Sequence, residues 1–295
     1  MKKIYGFSIV SSFLGLWITS LLPESFELTL GFVLIFTFGM IHGSNDIIIV
    51  NKMLDSSKHN FFSILFSYIA IVLLAVLIFY FFPIIAMTLF ILFSSYHFGE
   101  QHWEQSLKNF NRVFKGVFFF SYGLLILYLI FLFNNEAVKK IIFEITTLEL
   151  NNLLAKEICV VLSAVLICML CYGLVQKKIE INAVGRELFS VLILSIIFKS
   201  STLIWGFSIY FILWHSLPSL IDQITFIYGD LRKKSIAKYT KDALPYWIVS
   251  LLGMLVLFII FKEEKHFYTL FFAFIAAVTF PHALVMLSMF TKKSS

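Results

Sequence analysis

Long apolar stretches recur along the whole chain, and they constrain its fold more than any other feature of the sequence. Each stretch is about 17 to 23 residues long, which is enough to cross a bilayer as an α-helix. Only 14% of the residues are charged and the mean hydropathy is +0.93, whereas about a quarter of the residues in a soluble domain are charged. A soluble all-α protein of this composition could not cover a surface facing water. We therefore predict an all-α, polytopic transmembrane helix bundle.

We expect about ten spans, and the break around Lys199 to Thr202 is the boundary that the sequence defines least well. No Gly/Ser-rich linker or soluble segment interrupts the series, so residues 1–295 are predicted to form a single integral membrane domain. The predicted spans cover residues 5–22, 28–50, 61–80, 83–103, 113–133, 153–175, 186–202, 203–222, 244–261 and 268–290.

The net charge of +6 does not indicate a nucleic-acid partner, because the basic residues are not gathered into one patch. With the N-terminus inside, most lysines and arginines fall on inner segments, as the positive-inside rule requires. This pattern predicts two cytoplasmic termini and a multi-pass protein of the cell (inner or plasma) membrane. Cys168 and Cys171 form a CxxC without a second pair, so we interpret them as small helix residues and not as zinc ligands.

Polar residues inside spans are costly in lipid and are usually functional. Of seven histidines, three are placed in or beside loops: His59, His102 and His266. The other four lie in spans predicted to run in the same direction, at a similar depth of roughly 20 Å from the outer boundary at about 1.5 Å per residue; they are His42, His97, His215 and His282. Neutral imidazole is a common metal ligand, so these four are predicted to bind a metal, and iron, zinc, copper and nickel remain open.

Two acidic residues accompany these histidines. Asp46 follows His42 by four residues and Glu100 follows His97 by three, spacings that share one face of a helix. A histidine ligand usually donates its second ring N–H to a carboxylate or carbonyl, and we expect Asp46 and Glu100 to accept such bonds. The alternative is that both face water at the cytoplasmic rim. Glycines near the histidines are expected to let helices approach closely, namely Gly39, Gly43 and Gly99.

Four short motifs resemble those of one family, the Brp/Blh membrane β-carotene 15,15′-dioxygenases. The segment 39–46, GMIHGSND, is similar to its G-x-x-H-G-x-x-D signature. Residues 97–100 resemble its H-F-G-E, residues 214–216 its W-H-S, and residues 281–282 its terminal P-H. The four motifs occur in the family's order and extend over most of the chain. Ile41 and His102 depart from the family's pattern, which leaves the choice of substrate open.

The resemblance implies a non-haem Fe(II) held by His42, His97, His215 and His282. It also implies O2-dependent cleavage of the central double bond of β-carotene, taken from membrane lipid, into two molecules of all-trans-retinal. In members that accompany a microbial rhodopsin, that retinal becomes the chromophore of the rhodopsin. We expect aromatic side chains near the histidines to line a substrate tunnel, with these candidates: Tyr96, Tyr210, Phe211, Trp214 and Phe280.

Two other functions fit parts of the same pattern. A transporter would also place histidine and carboxylate side chains inside spans, but a relay would distribute them across the bilayer and not at one depth. A membrane metal oxidoreductase acting on another isoprenoid or lipid would use the same histidine site. Metal content separates the transporter from the enzymes, and product analysis separates the two enzymes.

Overall fold

The computed structural model describes residues 2–54, 61–261 and 267–294, and the described parts are helical without any strand. The all-α prediction is therefore confirmed, whereas His59 and His266 lie outside the described residues. The helices are α1 Lys2–Leu21, α2 Glu24–Leu34, α3 Asp46–Met53, α4 Phe61–Phe81, α5 Pro83–Trp103, α6 Arg112–Phe133, α7 Asn135–Thr146, α8 Ala155–Val175, α9 Ile181–Ser200, α10 Leu203–Ile209, α11 Leu217–Tyr228, α12 Lys233–Phe261 and α13 Phe267–Ser294. Two π-helical segments, Ile35–Gly39 and Tyr210–Ser216, continue α2 and α10.

Seven stretches within the described residues are long and apolar enough to cross a membrane. They agree with seven of the ten predicted spans and are Ile4–Leu21, Phe61–Phe81, Arg112–Phe133, Ala155–Val175, Ile181–Ser200, Leu203–Tyr228 and Phe272–Lys293. The predicted span 83–103 forms α5, whose C-terminal half carries serine, histidine and glutamate side chains that lower its hydropathy. The predicted span 244–261 falls in the C-terminal part of α12. A count of ten spans and the cytoplasmic position of the termini stay predictions.

The predicted span 28–50 is not a continuous helix. The π-helical segment ends at Gly39, residues 42–45 form a turn, and α3 begins at Asp46. Hydrogen bonds from Gly43 N to the Met40 carbonyl and from Ser44 N to the Ile41 carbonyl, both 3.3 Å, close this turn. The apolar composition of this segment predicted a continuous helix, and it contains no signal for the break at His42.

The predicted break between the seventh and eighth spans is confirmed. Helix α9 ends at Ser200, and both Ser201 and Thr202 adopt extended backbone conformations before α10 begins. The carboxylate of Glu27, only 3% exposed, accepts a hydrogen bond of 3.0 Å from Thr202 N. This bond ties α2 to the start of the segment that carries His215.

The described chain divides into two compact units, each assembled from three separate stretches. The first comprises Met1–Ile35, Ser94–Lys139 and Leu150–Pro218. In this unit α6 packs on α8 and α9, α10 packs on α2, and α1 packs on α9 and the second π-helical segment. Trp205 Nε1 of α10 donates to the Gly15 carbonyl at 3.2 Å, and Trp214 Nε1 of the π-helical segment donates to Ser12 Oγ at 2.9 Å. These bonds anchor α1 to both α10 and the π-helical segment.

The second unit comprises Phe36–Phe93, Lys140–Glu149 and Ser219–Ser295. Here α13 packs on α3, α4 and α12, and α3 packs on α4. Its core contains Ile49 together with Val285, Met286, Met289 and Phe290 of α13. That the whole chain forms one integral membrane domain stays a prediction.

A short connection with Gly229 at φ 85° leads from α11 into α12. The Asp230 carboxylate accepts hydrogen bonds from Arg232 Nε at 2.7 Å and from Ser235 Oγ at 2.6 Å. These bonds, with the Arg232 guanidinium first among them, hold the pKa of Asp230 well below its usual range. Asp230 therefore stays ionised at the exposed start of α12.

Asn111 caps the start of α6 and offers a test of local helix stability. Its side-chain oxygen accepts a hydrogen bond of 2.8 Å from Phe114 N. Replacing Asn111 by alanine leaves that N–H without its acceptor, and we expect the free energy of unfolding to fall by about 1 kcal/mol. Thermal unfolding of the purified protein in detergent measures the change, and an Asn111→Asp variant, which keeps an acceptor, should remain close to the wild type.

Candidate metal centre

In the second unit, His42 and His282 form a buried pair. Each residue is 4% exposed, and their ring centroids lie 4.7 Å apart with the planes at 89°. His42 opens the turn that follows the first π-helical segment, and His282 follows Pro281 inside α13. Because the helix breaks at residues 42–45, the imidazole of His42 faces the imidazole of His282 in α13.

Both rings of this pair have their Nδ1 atoms next to oxygen atoms. His42 Nδ1 contacts the Gly39 carbonyl, and His282 Nδ1 lies 2.9 Å from Asp46 Oδ1 and 3.1 Å from Oδ2. A neutral imidazole that donates its Nδ1–H carries the lone pair on Nε2. The two contacts therefore favour the tautomer in which Nε2 of each ring is the nitrogen that can bind a metal.

In the first unit, His97 and His215 form a second buried pair. Each is 1% exposed, and their centroids also lie 4.7 Å apart, with the planes at 82°. His97 is supplied by α5 and His215 by the π-helical segment Tyr210–Ser216. Phe98 meets the ring of His215 edge-on at 4.7 Å, while Phe211 stacks on it at 5.6 Å. The second pair is thus enclosed by aromatic rings.

The separation of the rings in each pair is compatible with two imidazoles bound to one ion. Imidazole nitrogen atoms bind divalent metals at about 2.0–2.1 Å, and the ring centroid lies about 1.1 Å beyond the nitrogen. Two such rings at about 90° around a metal would have centroids about 4.6 Å apart, close to the separation in both pairs.

Two π-helical segments lie directly beside motif histidines. Ile35–Gly39 precedes His42, and Tyr210–Ser216 contains His215. A π-helical turn inserts an extra residue and rotates the following side chains, and such turns occur frequently at functional sites. The carbonyl of Gly39, at the end of the first segment, is the one that meets His42 Nδ1. The irregular backbone therefore aims these two imidazoles.

Comparison with known proteins agrees with this picture. A family model described as beta-carotene 15,15′-dioxygenase matches residues 33–290, a range that contains all four histidines. The chain belongs to this family. No curated protein and no solved structure matches it. The resemblance drawn from the four motifs is thus confirmed, and membership of this family implies a carotene dioxygenase activity with a metal cofactor.

In this family member, the two acidic residues differ in their surroundings. Asp46 does not share a helix face with His42, because the turn at residues 42–45 separates them; its carboxylate instead meets His282 of α13. Glu100 lies in α5 with His97 as predicted, but its Oε2 atom has no hydrogen-bond partner among the described residues. That either residue supports a metal ligand stays a proposal.

The five aromatic candidates for a substrate tunnel make different contacts in the structure. Phe211 contacts the ring of His215, and Tyr210 is fully buried against Phe98 at 5.2 Å. Trp214 bonds to Ser12 of α1. Tyr96 meets Phe119 of α6 at 5.8 Å and Phe280 meets Phe93 at 5.4 Å. Phe211 therefore lies beside a proposed ligand, His215, whereas Tyr210 stacks on His102 at 6.1 Å.

Sequence reasoning missed two tyrosines of the second unit. Tyr68 of α4 donates a hydrogen bond of 2.8 Å to Asp46 Oδ2. Tyr239 of α12 donates one of 2.7 Å to Gln223 Oε1, and its carbonyl accepts a bond of 3.1 Å from Asn45 Nδ2 in the turn after His42. A hydroxyl in the middle of the apolar stretch 61–81 was the only sequence signal for Tyr68, since its partner is 22 residues away.

Proposed function

We propose that this protein is a non-haem iron dioxygenase that cleaves the central 15,15′ double bond of β-carotene with O2 and forms two molecules of all-trans-retinal. The two buried histidine pairs, in a chain that belongs to the β-carotene 15,15′-dioxygenase family, carry this proposal. The reaction balances without a further reductant: one carbon–carbon double bond and one O2 are consumed, and two aldehyde groups are formed.

The proposed ligands of one Fe(II) are His42, His97, His215 and His282. Four neutral imidazoles would leave the full positive charge on the ion, unlike the site of two histidines and one carboxylate found in many other oxygenases. Iron bound by these residues would supply the redox chemistry that O2 activation requires, which zinc does not have. Asp46 and Glu100 are proposed to accept hydrogen bonds from the second ring N–H groups of the ligand histidines.

The side chains around the site are proposed to bind and orient the polyene. Phe211 and Phe98 present ring surfaces beside His215, and the wider tunnel is assigned to Tyr96, Tyr210, Trp214 and Phe280 together with Phe211. An apolar wall excludes water and fixes one region of a long symmetric substrate beside the metal, which is how positioning contributes to rate. Exposed apolar side chains on α1, α4 and α8 agree with uptake of β-carotene directly from membrane lipid.

Expression in a bacterial host that accumulates β-carotene tests the proposed reaction. We expect the cells to lose colour and to form retinal, and the His42→Ala variant to keep the pigment. The His102→Gln variant is the matched control, because it alters a histidine with a 5% exposed side chain that is not among the proposed ligands; it should still form retinal. Chromatography of the extracted pigments measures both compounds.

The extracted pigments also distinguish a β-carotene dioxygenase from a metal oxidoreductase that acts on another isoprenoid or lipid. Unchanged β-carotene with well-expressed, iron-loaded protein would contradict β-carotene as substrate and favour another isoprenoid or lipid. Well-expressed protein without bound metal would contradict both enzymes. Retinal as product is what a microbial rhodopsin would accept, and that partner, like the cell membrane location, stays a prediction.

A further inference from the structure

The Asp46 carboxylate receives hydrogen bonds from donors on two different helices. Tyr68 Oη donates to Oδ2 at 2.8 Å, and His282 Nδ1 donates at 2.9 Å to Oδ1. Asp46 is 1% exposed, so water does not replace either donor. A buried carboxylate that loses a hydrogen bond pays a penalty comparable with its desolvation. The orientation of this carboxylate therefore depends on both donors.

The three helices that supply these residues are packed together. Asp46 is the first residue of α3, Tyr68 lies in α4 and His282 lies in α13. The ring of Tyr68 packs against the core cluster that contains Ile49 and Met286. Packing thus fixes the position of the Tyr68 hydroxyl, and the hydroxyl in turn fixes the Asp46 carboxylate, whose Oδ1 and Oδ2 lie 2.9 and 3.1 Å from His282 Nδ1.

We infer that Tyr68 is a positioning residue for the proposed metal ligand His282 and that it acts through Asp46. The inference rests on the proposed function, since it takes His282 as a ligand. By holding the carboxylate, Tyr68 keeps the His282 ring in one orientation and keeps its proton on Nδ1, so that Nε2 carries the lone pair. Partners of this kind typically contribute 10- to 100-fold to metal affinity.

The first unit contains a triad of the same chemistry that involves none of the four proposed ligands. Glu187 Oε2 accepts hydrogen bonds from His102 Nδ1 at 2.9 Å and from Tyr122 Oη at 2.8 Å. Removing the Tyr122 hydroxyl deletes the same type of bond from a histidine–carboxylate–tyrosine triad. Tyr122→Phe is therefore a matched control for Tyr68→Phe, because a loss due to stability alone should affect both variants.

The test compares metal retention in the purified full-length protein in detergent. We expect iron to be lost to a chelator about tenfold faster from Tyr68→Phe than from the wild type, the lower end of the range for such partners. The visible ligand-field spectrum of the Co2+-loaded protein should shift in Tyr68→Phe and stay unchanged in Tyr122→Phe. Both variants should show a similarly lowered thermal unfolding midpoint. Wild-type iron retention and Co2+ spectrum in Tyr68→Phe, or equal changes in iron loss and spectrum in both variants, would overturn the inference.

A double-variant cycle tests the route through Asp46. In an Asp46→Asn background, Tyr68→Phe should add no further increase in the rate of iron loss, and an independent tenfold increase would overturn that route. His282→Ala separates the two levels of the proposal. Full iron content in His282→Ala would remove His282 from the proposed metal site, whereas loss of iron there with wild-type retention in Tyr68→Phe would remove only the role of Tyr68.

Discussion

Alanine at His215 or at His282 is expected to abolish carotene cleavage and to remove bound iron. The two residues belong to different pairs, so the prediction tests a proposed ligand from each pair. Loss of a residue that only supports a ligand costs 10- to 100-fold in metal affinity. Loss of a ligand should therefore lower iron affinity by more than about 100-fold and leave no measurable retinal formation.

Iron content and retinal formation are measured on the same purified preparations, with Tyr122→Phe as the control for general loss of stability. A chain in which His215→Ala keeps its iron while His282→Ala loses it would show that the metal is held by the second unit alone. The result would contradict the proposed ligand set at His215 and, through its partner ring, at His97.

Alanine at Gly123 is expected to destabilise the first unit much more than alanine at Gly116. A Cβ atom at Gly123 would lie 1.8 Å from the Ser95 carbonyl oxygen, and one at Gly99 would lie 1.9 Å from the Phe119 carbonyl oxygen. Helices α5 and α6 thus meet backbone to backbone, as small residues allow. Neither carbonyl can move without shifting its helix, so the free energy of unfolding should fall by about 3 kcal/mol or more.

Gly116→Ala is the matched control on the same helix α6. A Cβ atom there would meet only a ring atom of Tyr96 at 3.9 Å, an ordinary van der Waals contact. Its thermal unfolding midpoint should therefore stay near that of the wild type, and alanine in a helix is preferred to glycine. Equal midpoints for Gly123→Ala and Gly116→Ala would contradict the close contact between α5 and α6.

Much of the helical content follows from the sequence because apolar length is a local property. The stretches that became α4, α6 and α8 begin and end within a few residues of their predicted limits. The break before α10 was predicted from the short polar run at Lys199 to Thr202. The four histidines could be predicted as site residues because polar side chains inside apolar spans are costly and are usually functional. In the structure each of them lies in a buried pair.

The parts that the sequence did not reveal depend on backbone irregularity and on distant partners. The stretch 28–50 is apolar throughout most of its length, so hydropathy does not reveal the π-helical segment or the turn at His42. The same turn moved Asp46 away from the helix face of His42 and towards His282, 236 residues away. Tyr68 was missed because nothing in the spacing of α4 records which carboxylate its hydroxyl will meet.

The coordination of the bound metal tests the proposed set of four histidine ligands. X-ray absorption spectroscopy of the purified, iron-loaded protein counts the imidazole groups around the ion. We predict one iron per chain with four imidazoles in its first coordination sphere. One iron with two imidazoles, or a sphere dominated by carboxylate or sulfur, would contradict the four-histidine ligand set.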